Sequence, residues 1–148
     1  MNKGELLGKF IVFATNAHAG QFDKAGEPYI LHVLEVLHGV RLEDEEVQCI
    51  AVGHDLFEDT SATVEDLIEL GATSRIIEGI MALTKQNGES YNTYKSKVLA
   101  NRDAMKVKRS DLKHNSDITR LKGITEKDVK RMGRYMIFFT EIERELNK

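Results

Sequence analysis

A single cysteine, a single proline and no long apolar run mark this chain of 148 residues, and each shortage removes a class of explanation. With Cys49 alone no intramolecular disulfide can form, so a reducing cytosol is the natural compartment. Its helical neighbours Val47, Ile50 and Ala51 make Cys49 a packing residue rather than a nucleophile. No apolar run approaches the roughly 18 residues that a membrane helix requires, and the amino terminus has no signal-like segment. The expectation is a cytoplasmic protein without membrane contact. Charge of one sign is lacking too. The 21 basic and 24 acidic residues leave a formal charge of −3, which argues against a general nucleic-acid or membrane-surface binder that works by long-range attraction. The best local basic cluster, Lys106-Val-Lys-Arg109, reads as a solvated helix face.

What is present is helical periodicity. Leu6, Leu7, Phe10, Phe13, Ala14 and Ala17 recur at helical spacing and predict an amphipathic first helix ending near Gly20. A polar loop, 21–27, follows. Pro28 is placed to open a second helix, in which Ile30, Leu31, Leu34, Val36 and Leu37 carry His32 inward. Asp44 is the expected cap of a third helix reaching His54 and Asp55. Thr63 to Asp66 has capping-box spacing, Ile76, Ile77, Ile80, Met81 and Leu83 predict a further helix, and Ser90 opens another. Asp103 is the expected cap of the helix bearing Asp111. Thr125 to Asp128 begins a last helix with Val129, Met132, Tyr135, Met136, Phe139 and Ile142 on one face. No alternating strand pattern or repeat is seen. The expectation is an all-α fold in a single domain, 1–148, with a core that needs neither disulfide nor structural metal.

The chemistry lies where polar residues interrupt this apolar pattern. His54 and Asp55 are adjacent in Ala51-Val-Gly-His-Asp-Leu-Phe-Glu-Asp-Thr60, His32 lies upstream, and Asp111 lies downstream in Val107-Lys-Arg-Ser-Asp-Leu-Lys-His-Asn115. Adjacent helical residues project about 100° apart, so His54 and Asp55 can reach one ion near a helix end or bend. Two imidazoles and two carboxylates suit Mn²⁺, Fe²⁺, Zn²⁺ or Co²⁺, and the lack of cysteine ligands disfavours a structural zinc site. Glu58 and Asp59 each fall four residues beyond one of that pair, about one helical turn on. A carboxyl there can take a proton from water activated at the metal or deliver one to a leaving group. No serine or cysteine triad is recognisable, so no covalent intermediate is expected.

This set resembles the signature of the HD phosphohydrolase superfamily. The surrounding words resemble its alarmone-hydrolase branch, the hydrolase domain of RelA/SpoT-type enzymes of the stringent response and the free-standing small alarmone hydrolases. They are Ala17-His-Ala-Gly-Gln21, Gly26-Glu-Pro-Tyr-Ile30 with His32, His54-Asp55 with Glu58-Asp59-Thr60, Leu83-Thr-Lys85 with Gly88-Glu-Ser-Tyr91, and Val107-Lys108 leading to Asp111 and His114-Asn115. The resemblance implies an HD helical bundle with His32, His54, Asp55 and Asp111 as ligands of Mn²⁺. It also implies Glu58 and Asp59 as the pair that orients water and moves protons, and Lys24, Tyr29, Lys108 and Asn115 as substrate-binding positions. The implied activity is that of a guanosine-3′,5′-bis(diphosphate) 3′-pyrophosphohydrolase. It removes the 3′-pyrophosphate of ppGpp or a close alarmone such as ppApp. The chain leaves no room for the synthetase and regulatory regions of the long enzymes. His18 and His114 match family words and read as structural, and His38 reads as exposed.

Five positions depart from the family pattern. Asp23 stands before Lys24 where arginine is usual, and a carboxylate cannot supply arginine's donor fork and repels phosphate. Val33 follows His32 in place of proline, Gly53 precedes His54 in place of a larger apolar residue, and Arg109-Ser110 replaces an apolar-small pair. None removes a ligand. Asp23 leaves the base open, so two other readings stand beside the first. One is an HD phosphohydrolase of another nucleotide. The other is an antitoxin-like partner that neutralises an alarmone-synthetase-type toxin. The sequence carries no signal for oligomeric state.

Overall fold

The computed structural model describes residues 1–148 and is all-helical. The elements are α1 (Glu5–Ala17), α2 (Tyr29–Gly39), α3 (Glu45–Gly53), α4 (Leu56–Asp59), α5 (Val64–Leu70), α6 (Ser74–Ala82), α7 (Tyr91–Leu99), α8 (Arg102–Asn115), a 3₁₀ turn (Ile118–Arg120) and α9 (Glu126–Leu146). The only β-type pairing is an isolated bridge between Phe22 and Pro28 that closes the loop before α2.

Side-chain caps set many of the boundaries. The Asp44 carboxylate accepts from Val47 N at the start of α3, and Ser90 accepts from Thr93 N at the start of α7. Thr63 with Asp66 and Thr125 with Asp128 form reciprocal capping boxes on α5 and α9. These bonds satisfy amide hydrogens that have no partner in the first helical turn. One expected cap is corrected. Asn101, not Asp103, caps α8 by accepting from Ala104 N, while Asp103 lies in the first turn and binds Arg75 at 2.8 Å.

The centre of the bundle is α3, whose run Cys49 to Gly53 is wholly buried and which packs on α1, α2, α6 and α8. Cys49 is core filler, and burial pushes its thiol up to about 12. Two small residues let neighbouring helices come close. A Cβ added at Gly39 would sit 2.0 Å from Ser110 Oγ, so α2 meets α8 there, and Ser110 Oγ donates to Val36 O at 2.9 Å. A Cβ at Gly53 would sit 2.6 Å from Ile80 Cδ1, which presses α6 against the end of α3. The sequence departures at Gly53 and Ser110 therefore set helix spacing beside His54 and Asp111.

Two faces differ from the periodicity reading. On α2 the inward residues are His32, Val33 and Val36, whereas Leu31 is 51% exposed and Leu34 also reaches solvent. Placing His32 inward rotates the buried stripe onto its helical neighbours and turns Leu31 outward. On α9 the buried anchors are Phe138, Ile142 and Leu146, while Val129 is 54% exposed and Met136 is exposed. The helix is 21 residues long, and its buried residues all lie in its C-terminal half. No helix is long and apolar enough to cross a membrane.

Candidate metal and nucleotide site

The four residues singled out by type come from three separate helical regions and converge. His32 projects from α2, Asp111 from α8, and His54 and Asp55 occupy the break between α3 and α4. One potential ligand atom from each lies within 4.8 Å of all the others. His32 Nε2 is 2.9 Å from Asp111 Oδ1, and His54 Nε2 is 2.9 Å from Asp55 Oδ2 and 3.4 Å from Asp111 Oδ1. The helix break does this work. With α3 ended at Gly53, Asp55 takes φ −111° and ψ 3°, a turn conformation, and both side chains face one centre.

The donor set fits a divalent cation on its own chemistry. His54 Nδ1 donates to Ala51 O at 2.7 Å, which leaves Nε2 as the nitrogen with the free lone pair. That buried Nε2 has no hydrogen-bond partner despite the carboxylate oxygens nearby. Burial opposes charge on His54, but Asp55 and Asp111 outweigh it and raise its pKa well above the usual value. Burial also opposes ionisation of Asp111, yet the Lys108 ammonium and the two imidazoles hold its carboxyl well below the usual range. For Asp55, burial is outweighed chiefly by His54, and its pKa falls. Two ionised carboxylates thus share a buried space, and the field that would draw a proton to His54 Nε2 equally draws a metal ion.

Each carboxylate is held from behind. The Tyr29 hydroxyl donates to Asp55 Oδ2, Lys108 Nζ lies 2.9 Å from Asp111 Oδ2, and Asn115 Nδ2 donates to Asp111 Oδ1 at 3.0 Å. Three residues implied as substrate contacts therefore meet the cage first. Burial and Asp55 push the Tyr29 phenol far above its usual range, so it stays a donor. Lys108 also lies 5.3 Å over the Tyr94 ring. Lys24 stands apart, exposed on the loop before α2.

Glu58 and Asp59 close the short α4. Glu58 accepts from Lys85 N, which ties α4 to the segment after α6, and the two border an open cleft with Thr84, Gln86 and Glu89. Burial raises the pKa of both; Asp55 adds to the rise in each, and for Glu58 the Lys85 amide opposes it. Asp59 also lines a cavity of about 280 Å³ together with Lys24, Tyr29 and Asn115, the last two of which bond to the cage carboxylates. Phe22, Leu121, Met132 and Tyr135 give the cavity apolar walls, and Lys24, Arg120 and Arg131 stand there beside Asp23, Asp59 and Asp117, with Arg120 paired to Asp23 and Arg131 to Asp128.

Two residues were missed from sequence. Arg120 Nη2 pairs with Asp23 Oδ2 at 2.9 Å, and Arg120 Nη1 donates to His114 O at 3.0 Å. The other Asp23 oxygen accepts from Ala25 N and Glu27 N, both at 2.9 Å. Asp23 is thus consumed in closing the loop and in neutralising Arg120, and it is not a free negative charge in the cavity. The departure itself was the available signal, since an acid where a base is usual calls for a compensating base elsewhere. His114, read as structural, lies against His32, with their Nδ1 atoms 2.7 Å apart. His18 is buried with Nδ1 2.8 Å from Gln21 Oε1, and His38 is exposed.

No family model matches the chain. It is 36% identical over 85 residues to a GTP pyrophosphokinase of Myxococcus xanthus, covering 55% of this chain and 11% of that protein. It is 35% identical over 117 residues to a guanosine-3′,5′-bis(diphosphate) 3′-pyrophosphohydrolase of Haemophilus influenzae, covering 70% of this chain and 17% of that protein. A protein of the same name from Vibrio cholerae is 38% identical over 86 residues, covering 55% of this chain and 12% of that protein. The chain thus spans less than a fifth of the length of these relatives. A solved structure described as a metazoan ortholog of SpoT that hydrolyzes ppGpp aligns with a TM-score of 0.75 at 22% identity, covering 99% of this chain and 88% of that one. In sequence and in fold, the chain resembles an HD-type (p)ppGpp hydrolase domain.

Proposed function

We propose that the chain is a metal-dependent phosphohydrolase that removes the 3′-pyrophosphate of a (p)ppGpp-like alarmone, leaving a nucleoside 5′-diphosphate or triphosphate and pyrophosphate. The observation that carries this reading is the four-residue cage, whose two carboxylates are held by Tyr29 and Asn115, residues that also line the neighbouring cavity. The relatives named as 3′-pyrophosphohydrolases supply the substrate class.

His32, His54, Asp55 and Asp111 would hold the ion, and Mn²⁺ is our choice by family resemblance, with Fe²⁺, Zn²⁺ and Co²⁺ compatible with nitrogen and oxygen donors. When bound, such an ion supplies Lewis-acid activation of water and phosphate near neutral pH. Tyr29, Lys108 and Asn115 keep the two carboxylates oriented toward it. Glu58 and Asp59 take the proton from the attacking water and return one to the departing 3′-oxygen. Their raised pKa values suit groups that both accept and release a proton.

We assign phosphate contact to Lys24, which is exposed and lines the cavity. Arg120 has one hydrogen of each terminal nitrogen engaged, and we assign its flat guanidinium face to a planar base beside Phe22 and Tyr135. We place the reaction in the cytoplasm, in keeping with a nucleotide substrate and the lone buried thiol. A panel of ppGpp, ppApp and ordinary nucleotides with Mn²⁺, with products identified, tests the reading. Pyrophosphate release from an alarmone supports it, and turnover of ordinary nucleotides alone contradicts it.

A further inference from the structure

The two cage imidazoles must each present a bare nitrogen to a cation, which requires the hydrogen of each neutral ring to sit on its other nitrogen. For His54 the fold settles this with a group that can only accept, since Nδ1 faces the Ala51 carbonyl. For His32 the corresponding partner is a side chain. His32 Nδ1 lies 2.7 Å from His114 Nδ1, and the rings are only 17° from coplanar with centroids 5.0 Å apart. That is the edge-to-edge arrangement of an in-plane N–H···N bond. One of these two nitrogens carries the hydrogen and the other accepts it.

We infer that His114 is a positioning residue that accepts the Nδ1 hydrogen of His32 and so keeps the His32 Nε2 lone pair aimed at the cage centre. The reverse arrangement, with His114 donating, would put the His32 hydrogen on Nε2, 2.9 Å from Asp111 Oδ1, and remove this ring as a ligand. The placement follows from α8. Asp111 and His114 are three residues apart and share a face, so one helix grips the His32 ring at both nitrogens. The backbone at this end of α8 is tied down in turn, because the His114 carbonyl accepts from Arg120. The inference rests on the metal-site reading above, and it assigns to a side chain the task that backbone performs for His54.

The test compares Mn²⁺ affinity by calorimetry in the wild-type chain, His114→Leu and His114→Asn, and reads the ring hydrogens of His32 by ¹⁵N NMR in the Zn²⁺-loaded wild type. Loss of a hydrogen-bond partner behind a ligating histidine weakens metal binding by about 10- to 100-fold, which is the fall expected for His114→Leu. His114→Asn, whose amide oxygen can accept in place of Nδ1, should keep most of the affinity, and the NMR should place the His32 hydrogen on Nδ1. Wild-type affinity in His114→Leu, or a hydrogen on His32 Nε2, overturns the inference while leaving the metal site standing. A wild-type chain that binds no divalent ion overturns the metal site and the inference together. If His114→Leu does not fold, the NMR assignment and His114→Asn decide.

Discussion

Asp23 and Arg120, 97 positions apart in sequence, meet at 2.9 Å in the wall of the cavity beside the His32, His54, Asp55 and Asp111 cluster. The pairing reverses the meaning of Asp23, because the carboxylate anchors a guanidinium instead of excluding one. Introducing arginine at position 23 would therefore set two guanidinium groups against each other and remove the acceptor that closes the loop at Ala25 and Glu27. The informative variant is Arg120→Lys, which keeps the charge beside Asp23 and loses the planar face. Steady-state kinetics on ppGpp should show KM raised about tenfold, the scale of one charge-assisted contact, with kcat little changed. An unchanged KM would remove Arg120 from substrate binding.

The same pair sets a pH dependence of stability. Burial opposes ionisation of Asp23, but the Glu27 and Ala25 amides and Arg120 outweigh it and hold its pKa below the usual value. A depressed folded-state pKa contributes stability that is present above the unfolded value of about 3.9 and is lost as pH falls through the folded value. Asp23→Asn should therefore be less stable than wild type at pH 7, by up to about 1.5–3 kcal/mol. Urea unfolding at descending pH should show that gap closing below about pH 4. A gap that stays constant to pH 2.5 would contradict the assignment.

Glu58→Gln should keep fold and metal while turnover falls about 10²-fold or more, the scale of a positioned acid or base. The neutral side chain can still accept from Lys85 N, so the tie to the segment after α6 survives. Metal content measured beside kcat separates the two effects. Wild-type turnover would return Glu58 to the role of a helix-end anchor.

Gly53 tests whether helix spacing beside His54 matters. A side chain there meets Ile80 Cδ1 at once, so Gly53→Val should cost about 1–3 kcal/mol by overpacking and lower metal affinity as α3 shifts. Thermal melts with and without Mn²⁺ check both effects, and a variant as stable as wild type would show that Ile80 gives way freely.

Local chemistry made much of this fold legible. Asp44, Ser90 and the pairs Thr63–Asp66 and Thr125–Asp128 announce helix starts, because a cap satisfies its own helix within three residues. The cage was legible because buried imidazoles and carboxylates have few other uses. What escaped depends on partners distant in sequence. Asp103 looks like a cap until Arg75 claims it, and Asn101 does the capping. Leu31 looks like core until α2 turns His32 inward, and Phe138 emerges as an α9 anchor only where α7 packs beside it. Tyr29, Lys108 and Asn115 match substrate positions in sequence, yet only the folded chain shows their polar groups bound to Asp55 and Asp111.

The most direct test of the central claim sets wild type beside Asp55→Ala, with metal content and the products of ppGpp followed in the same preparations. Wild type should hold one divalent ion and convert ppGpp to GDP and pyrophosphate, and Asp55→Ala should lose both the ion and the reaction. A wild-type chain that binds the ion but leaves ppGpp intact, or an Asp55→Ala chain that still cleaves it, would contradict the account.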